Sequence, residues 1–592
     1  MEIFESIGEF FQNDGAAFAD IYCKIWRYVA PLLALLILWR CIRPLLKFRR
    51  EPETWAWLAM PDGKQIPVTH WENIIGRGKS SDIVVDFSTV SRNHAVLTRF
   101  DDGSWSVTDI GSKGTVAVNG VKAEVTAVHY GDVISLGGVD MRLEPVTAEE
   151  MEEQAYFRTR PNDMSAPGLT LTFLTLFQLL TVLQHWTNCK PEYVGSILFG
   201  FCALIGMEWL LYLSLRLAKR SGFEVETIAF FLCTIGLSVI AGAAPGSILK
   251  QGICIFGGII IYLIISWSLR NLSRAKRVRY AAAVVGVLLL LANLLFGREI
   301  NGARNWIVLG PVSFQPSELV KLCFIFVGAS TMDRIVTKRN LFSFIVYSVF
   351  ICGCLALMKD FGTALIFFVA FLVIAFMRSG SFATVTLAIM SVVFAVLVLL
   401  LYFEDYSGYI QRRFEVWGHA WDDPYNMGYQ QVRAMMCLAS GGLLGLGAGN
   451  GWLHHVAAAD TDLVFGLVGE EWGLLIAVMC VLAIISLAVF VFRSCAVGRS
   501  SFYTIGACAA ATILITQAIL NVFGTMDLLP LTGVTLPFIS NGGSSMLCCW
   551  GLLAFIQAGD TRQNASVAVR RVRVEEAIDL ENEIIAEDEE YE

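Results

Sequence analysis

Beyond Leu169 the chain passes through twelve apolar segments, centred near residues 178, 205, 233, 258, 289, 326, 350, 370, 392, 477, 513 and 549. This succession dictates the class of fold. Roughly 20 mainly apolar residues cross the hydrocarbon core of a bilayer as a helix. The segments are too long and continuous for membrane β-strands, so the expectation is a polytopic α-helical membrane protein. Composition agrees: of 592 residues, 55% are hydrophobic and only 16% charged, which argues against a soluble globule. The net charge of -8 owes much to an acidic stretch from Glu575 to Glu592 and identifies no partner. A further apolar segment, Trp26 to Ile42, precedes the twelve and reads as an N-terminal span. Met1 to Asp20 is acidic and lacks a basic leader, so no cleavable signal is read there.

Lys and Arg concentrate in cytoplasmic loops. The N-terminal segment is followed by Arg43, Lys47, Arg49 and Arg50, which places its C-terminal end inside and its N-terminus outside. After the second segment come Arg216, Lys219 and Arg220, and after the fourth Arg270, Arg274, Lys276, Arg277 and Arg279. Arg334, Lys338 and Arg339, then Arg378, then Arg493 and Arg499 follow the sixth, eighth and tenth, and Arg562, Arg570, Arg571 and Arg573 follow the last. One orientation satisfies these loops. It puts the C-terminal tail inside and the long polar stretch 404–460 outside.

Between the first span and the twelve lies a soluble stretch. Asp82 to Val85, His94 to Leu97 and Ser104 to Val107 read as short strands, separated by the turn pairs Asp62-Gly63, Asp102-Gly103 and Asn119-Gly120. A small all-β sandwich is expected. Its loops carry Gly76-Arg77, Ser91-Arg92-Asn93-His94 and Gly111-Ser112-Lys113-Gly114-Thr115. This set, in this order, resembles the forkhead-associated (FHA) domain, which binds phosphothreonine peptides. The resemblance implies that Arg77, Ser91 and Arg92 contact the phosphate, with Ser112 and Lys113 nearby and His94 structural. Cations and hydroxyls converging from separate loops suit charge-assisted bonding to phosphate. Lys113 stands where the family usually has asparagine.

The expected organisation is an N-terminal segment with one span (1–50), the FHA-like sandwich (51–146), a polar linker (147–167), a polytopic membrane domain (168–560) and a cytoplasmic basic then acidic tail (561–592). The 15 cysteines lie nearly all in apolar segments and show no zinc spacing, so they read as small buried residues.

The external side gathers the polar motifs. Asn301-Gly302-Ala303-Arg304-Asn305-Trp306 precedes Gln315-Pro316-Ser317-Glu318 and Lys321, where Glu318 and Lys321 share one face of a starting helix. An ion pair at the mouth of a membrane span is a functional candidate by default, the bland reading being a structural salt bridge that positions two helices. Lys359-Asp360-Phe361-Gly362 follows. The stretch 404–460, which shows no obvious structure of its own, holds Arg412, Arg413, Trp421-Asp422-Asp423-Pro424, Tyr429-Gln430 and the glycine run Ser440 to Gly451. Thr532 to Ser545, containing Ser544, closes the series. The glycine run lacks the Lys-Ser/Thr ending of a P-loop and is read as a bend that packs against helices.

These motifs, in this order over residues 280 to 560, resemble the SEDS family (shape, elongation, division and sporulation), which contains FtsW, RodA and SpoVE. Its members are peptidoglycan glycosyltransferases that polymerise lipid II at the outer face of the cytoplasmic membrane, usually with a class B penicillin-binding transpeptidase. Lys359 stands where proline is common, Asn541 where tyrosine is, and ten spans rather than twelve are usual.

The resemblance implies that an acceptor hydroxyl loses a proton to a carboxylate general base while attacking an anomeric carbon, with inversion. Asp423, immediately before the proline, takes that role, with Asp422 and Glu415 as rivals. Arg304, Lys321, Arg412 and Arg413 are candidates to stabilise the departing lipid pyrophosphate. Trp306, Glu318, Asp360, Gln430 and Ser544 are supporting candidates. No cofactor is required because the donor is already activated, although a divalent cation, Mg or Mn, suits the pyrophosphate. Expected partners are lipid II, the transpeptidase and a phosphothreonine protein, with no nucleic acid. Two alternatives remain open: a flippase for lipid-linked precursors, and a non-catalytic FHA scaffold of the cell-wall machinery.

Overall fold

The computed structural model describes residues 15–47, 52–79, 81–100, 102–112, 114–122, 124–159, 166–220, 222–300, 303–310, 312–332, 338–379, 382–402, 408, 411, 413–495 and 497–562. Arg412, Lys113 and the acidic tail, singled out above, lie outside the described residues.

The N-terminal span is helix α1 (Gly15–Lys47). It runs antiparallel to α3 (Pro167–Asn188), since the Tyr22 hydroxyl donates to the Leu180 carbonyl at 2.6 Å and Arg40 Nε donates to Thr170 Oγ1 at 3.1 Å.

The soluble stretch folds into two packed sheets. One has the order β2 (Gln65–Val68), β1 (Ala56–Ala59), β11 (Val139–Glu144), β10 (Val133–Leu136), β7 (Val116–Val118), β8 (Val121–Lys122). The other has the order β4 (Ile83–Val84), β3 (Glu72–Gly76), β5 (Ala95–Arg99), β6 (Trp105–Asp109), β9 (Val125–Val128). Alternation fills the space between them: Val139, Met141 and Leu143 of β11 are buried, as are Leu97, Trp105 and Val107 of the facing sheet. Asn119 and Gly120, at φ 50° and 80°, make the two-residue turn joining β7 to β8, as that pair predicts.

The stretch expected to link sandwich and bundle carries a helix. Part of that stretch forms helix α2 (Ala148–Thr159). A capping box starts it: the Glu150 amide donates to Thr147 Oγ1 at 3.3 Å while the Glu150 carboxylate accepts the Thr147 amide at 3.1 Å. The same carboxylate accepts Trp57 Nε1–H at 3.3 Å, tying the helix to β1.

All twelve expected spans are helices. They are α3, α4 (Pro191–Leu217), α5 (Glu224–Ala243), α6 (Ile248–Leu269), α7 (Leu272–Phe296), α8 (Pro316–Met332), α9 (Lys338–Leu357), α10 (Phe361–Ser379), α11 (Phe382–Tyr402), α13 (Val464–Cys495), α14 (Ser501–Thr525) and α15 (Gly543–Ala558). Among the described residues, eight helices, α1 included, are long and apolar enough to cross a membrane, and four shorter apolar ones accompany them. α5 is buried along nearly its whole length and forms the centre of the bundle. Inside a bilayer such packing rests on van der Waals fit and on satisfied polar groups rather than on water exclusion. At the centre the Trp550 indole meets the rings of Phe230 and Tyr262 at 5.0 and 5.9 Å between centroids.

The sandwich is bonded to the turn between α13 and α14. The Trp71 amide donates to the Arg499 carbonyl at 2.7 Å, and Arg499 pairs with Glu53 at 2.8 Å. The Glu72 carboxylate accepts the Ser500 hydroxyl at 3.0 Å and the Ser501 amide at 3.1 Å, capping α14. At about 1.5 Å per residue, α14 carries its other end some 37 Å away. The polar stretch 413–463 gathers at that far end, so sandwich and polar loop occupy opposite ends of the bundle.

Candidate active site

Two segments read as loops have structure of their own. Residues around the Arg304 motif form a three-stranded antiparallel sheet, β12 (Arg298–Ile300), β13 (Ala303–Leu309) and β14 (Val312–Phe314). Within 404–460, Tyr429–Gly441 forms helix α12, which corrects the reading of that stretch as unstructured. The sheet is a meander of sequence-adjacent strands, tied to Asp360 through Asn305 and Gln315.

The glycine run supports a broken helix. α13 is interrupted at Gly473, which adopts φ 82° and ψ 164°, a conformation that side chains rarely adopt. A Cβ there would lie 2.4 Å from the Leu443 carbonyl oxygen and the Gly445 nitrogen. The break leaves backbone groups without helical partners, and the glycine run supplies them. The Leu446 and Gly447 amides donate to the carbonyls of Glu470 and Glu471, both at 2.9 Å. In return the Leu474 amide donates to the Gly442 carbonyl at 2.9 Å. Irregular backbone at membrane depth persists only where protein satisfies it in this way. The Glu470 carboxylate adds to this by accepting the Trp452 and Leu453 amides at 2.9 Å each.

A polar cluster forms where β13, the start of α10 and the segment before α15 meet. Asp360 caps α10 by accepting the Thr363 amide at 3.2 Å. It also accepts Asn305 Nδ2 at 3.2 Å and Gln315 Nε2 at 3.3 Å. The Arg304 amide donates to the Met358 carbonyl at 3.0 Å, leaving the exposed guanidinium beside this cluster in the chain. Trp306 is half-buried opposite Arg298 in the sheet. Gly362 packs directly on Thr532 and Val534.

Thr532 to Val534 in turn adjoins Arg413 and Asp462. Arg413 Nη1 donates to the Leu531 carbonyl at 2.7 Å. A Cβ on Gly533 would lie 3.3 Å from Asp462 Oδ2. Burial pushes the Asp462 carboxyl above the ordinary carboxylate range, opposed by the Thr461 hydroxyl and the Arg413 charge. Burial is what distinguishes Asp462, and no local sequence pattern carries it.

Asp423 is partly exposed, and its carboxylate holds its own turn together. Oδ1 accepts Asn426 Nδ2 at 3.0 Å, and Oδ2 accepts the Met427 amide at 3.3 Å. Asp422 is exposed and lies 3.2 Å from His419 Nδ1. Gln430, at the start of α12, donates to the Ala457 carbonyl at 3.0 Å.

Glu318 and Lys321 pair at 2.7 Å and are 4% and 0% exposed, so the pair sits inside the bundle rather than at an open mouth. It packs beside Cys548 and Cys549 of α15. Ser544 is buried at the first turn of α15, whereas the hydroxyl contact across that turn, 2.7 Å, joins Ser545 to Thr535. The cysteines are free thiols.

At the end of the sandwich remote from the bundle, three loops converge on the buried ring of His94. The Ser91 amide donates to His94 Nδ1 at 3.1 Å, the Arg77 amide donates to the Ser91 carbonyl at 2.9 Å, and Gly114 closes against the imidazole. His94 is therefore structural, as expected. Arg77 and Arg92 are exposed here, and Ser112 is fixed by its backbone amide, which donates to Asp109 Oδ1 at 2.9 Å.

Fold and site together define a multi-pass helical membrane protein with a broken helix beneath a polar platform at one end of the bundle and a β-sandwich at the opposite end. A family model described as cell cycle protein, for FtsW, RodA and SpoVE, matches residues 197–564, and the FHA domain model matches 73–137. The chain belongs to the FtsW/RodA/SpoVE family.

Among curated relatives, the "Probable peptidoglycan glycosyltransferase FtsW" of Wigglesworthia glossinidia brevipalpis is 29% identical, over 49% of this chain and 77% of that one. The protein of the same name from Escherichia coli O6:H1 is 32% identical over 45% and 67%. The peptidoglycan glycosyltransferase RodA of Mycobacterium bovis is 28% identical over 50% and 67%. Among solved structures, a peptidoglycan synthase complex chain is similar with a TM-score of 0.48 at 25% identity, covering 57% of this chain and 96% of that one.

Proposed function

We propose that this protein is an inverting peptidoglycan glycosyltransferase that polymerises lipid II, with Asp423 as general base. The observation that carries this reading is the assembly of Asp423, Arg413, Asp360 and Asp462 at one end of the bundle, around a single interhelical segment, Asp527 to Val534. Membership in a family whose curated relatives are named peptidoglycan glycosyltransferases supports it. The Asp423 carboxylate takes the proton of an acceptor sugar hydroxyl as that oxygen attacks the anomeric carbon of the donor. Arg413 and the exposed Arg304 stabilise the charge that develops on the departing lipid pyrophosphate. Glu318 and Lys321, paired and buried on α8 beside Cys548 and Cys549 of α15, support the packing of α8 there.

The platform faces outward and the sandwich inward, because the basic loops lie at the sandwich end. The membrane is accordingly the bacterial cytoplasmic membrane, with the N-terminus outside and the C-terminal tail inside. Among the described residues no group of three or more His, Cys, Asp or Glu side chains is placed to hold a metal ion. A divalent cation that assists the leaving group arrives with the pyrophosphate. A class B transpeptidase crosslinks the product, in division or cell-shape elongation. At the cytoplasmic end, Arg77, Ser91, Arg92 and Ser112 bind a phosphothreonine protein that controls the enzyme.

Full-length protein with its co-purifying partner tests the first part: Asp423→Asn abolishes polymerisation of lipid II while binding persists. Normal polymerisation by that variant removes the assignment. For the sandwich, phosphothreonine peptides are retained by the native protein and lost by Arg77→Ala; equal retention removes the phosphate reading.

A further inference from the structure

The loop that carries Asp423 is tied to the bundle through one acidic side chain that neither its composition nor its motif setting singled out. Asp527 follows the C-terminal end of α14 in the left-handed region, at φ 58°. Its Oδ1 accepts the Gly418 amide at 3.2 Å and its Oδ2 accepts the Ala420 amide at 3.4 Å. Those amides open the short turn Ala420–Asp422 that leads directly into Asp423. The next residue reinforces the tie, since the Leu528 carbonyl accepts Trp417 Nε1–H at 3.1 Å.

The held segment is a compact knot. Gly428 closes it, with its amide donating to the Asp423 carbonyl at 3.0 Å and its α-carbon so tight on Ala420 that a Cβ would fall 2.0 Å from the Ala420 oxygen. The Asp423 carboxylate bonds to Asn426 and Met427, inside this knot. Its position relative to the membrane helices is therefore inherited from Ala420, and Ala420 is held by Asp527.

We propose that Asp527 is the positioning residue of the catalytic loop: its carboxylate fixes the knot, and hence Asp423, over the end of α14. This rests on the reading of Asp423 as general base. Asp527 touches neither substrate nor reacting atoms. It acts by keeping the base within reach of the acceptor hydroxyl, where a misplacement of about 1 Å costs on the order of 100-fold in rate.

The test uses the full-length protein with its co-purifying partner, lipid II as substrate, and melting in detergent as a control. Asp527→Gly keeps the left-handed backbone unstrained and deletes both acceptors. It lowers kcat on the order of 10- to 100-fold with KM nearly unchanged and the melting midpoint preserved. Asp527→Asn tolerates the same backbone and keeps one acceptor oxygen, and recovers most of the rate. Wild-type kcat in Asp527→Gly overturns the proposal. So does equal impairment of both variants accompanied by a lowered melting midpoint, which marks a merely structural role. Asp423→Asn is assayed in parallel: if it polymerises normally, the general-base reading fails first and this inference falls with it. If Asp423→Asn is inactive while Asp527→Gly matches the wild type, only the inference about Asp527 falls.

Discussion

The Glu72 carboxylate of the sandwich accepts the Ser501 amide at 3.1 Å, so a residue of the soluble module serves as a cap for membrane helix α14. The N-terminal amides of a helix lack intrahelical partners, and this carboxylate satisfies one of them while complementing the helix dipole. Lys276, 3.7 Å from the same carboxylate, adds a second tie from the α7 side. The module is thereby a structural part of that end of the bundle, and the loops that converge on His94 point away from that contact.

Removing this cap is expected to be costly in a specific place. Glu72→Ala should lower stability by about 1–2 kcal/mol, read as a lower melting midpoint in detergent. Glu72→Gln, which keeps an acceptor, should lose less. Equal loss by both would mean that charge toward Lys276, rather than capping, dominates.

The Glu318 and Lys321 pair separates structure from chemistry. Lys321→Met leaves a carboxylate buried without its cation and should destabilise by roughly 3–5 kcal/mol. Adding Glu318→Gln should restore much of the stability, because the uncompensated charge is gone. If the pair only holds α8 to α15, polymerisation returns with stability; if it meets substrate, the double variant melts normally and stays inactive.

Gly473→Ala attacks the break in α13. A methyl group there meets backbone of the glycine run at 2.4 Å in a backbone conformation that alanine disfavours. The expected loss is about 3 kcal/mol, with polymerisation falling alongside. A melting midpoint equal to the wild type would show that the break is not held by Leu443 and Gly445.

The sandwich should lose stability in mild acid. Burial pushes the His94 imidazole below its ordinary value of 6.5, outweighing the opposing Asp109 charge and Thr115 carbonyl. The neutral ring accepts the Ser91 amide in the folded state. As pH falls through 6.5 the unfolded chain takes up a proton that the folded ring resists, so stability drops from there down to the folded value and is fully present above 6.5. Phosphothreonine-peptide retention should accordingly weaken between pH 7.5 and 5.5, and His94→Asn should flatten that dependence.

Much was legible because it depends on local pattern. Continuous apolar runs require helices in a bilayer, and all twelve apolar segments are helices where hydropathy puts them. The alternating strands and the Asn119-Gly120 turn fixed the sandwich in the same way. The Thr147-to-Glu150 capping box was readable too, yet the polarity of its surroundings masked helix α2 as a linker.

Of the candidate site, the sequence offered residues but not their arrangement. Asp423 stands out beside Pro424, but nothing near it in sequence reveals that Asp527, more than a hundred positions later, holds its loop. The same holds for Asp462, which Gly533 closely approaches, and for the sheet from Arg298 to Phe314, whose tie to Asp360 runs through Asn305 and Gln315.

By itself, then, the sequence determined the spans, the sandwich and the residue types available for glycosyl transfer, because bilayer crossing and strand alternation are enforced residue by residue. Only the tertiary structure decided which groups meet: Glu72 on Ser501, Asp527 on Ala420, the glycine run on the break at Gly473. Each of these joins a backbone group left without a local partner to an acceptor or donor far away in the chain, and the cost of leaving buried polar groups unpaired is what selects those contacts.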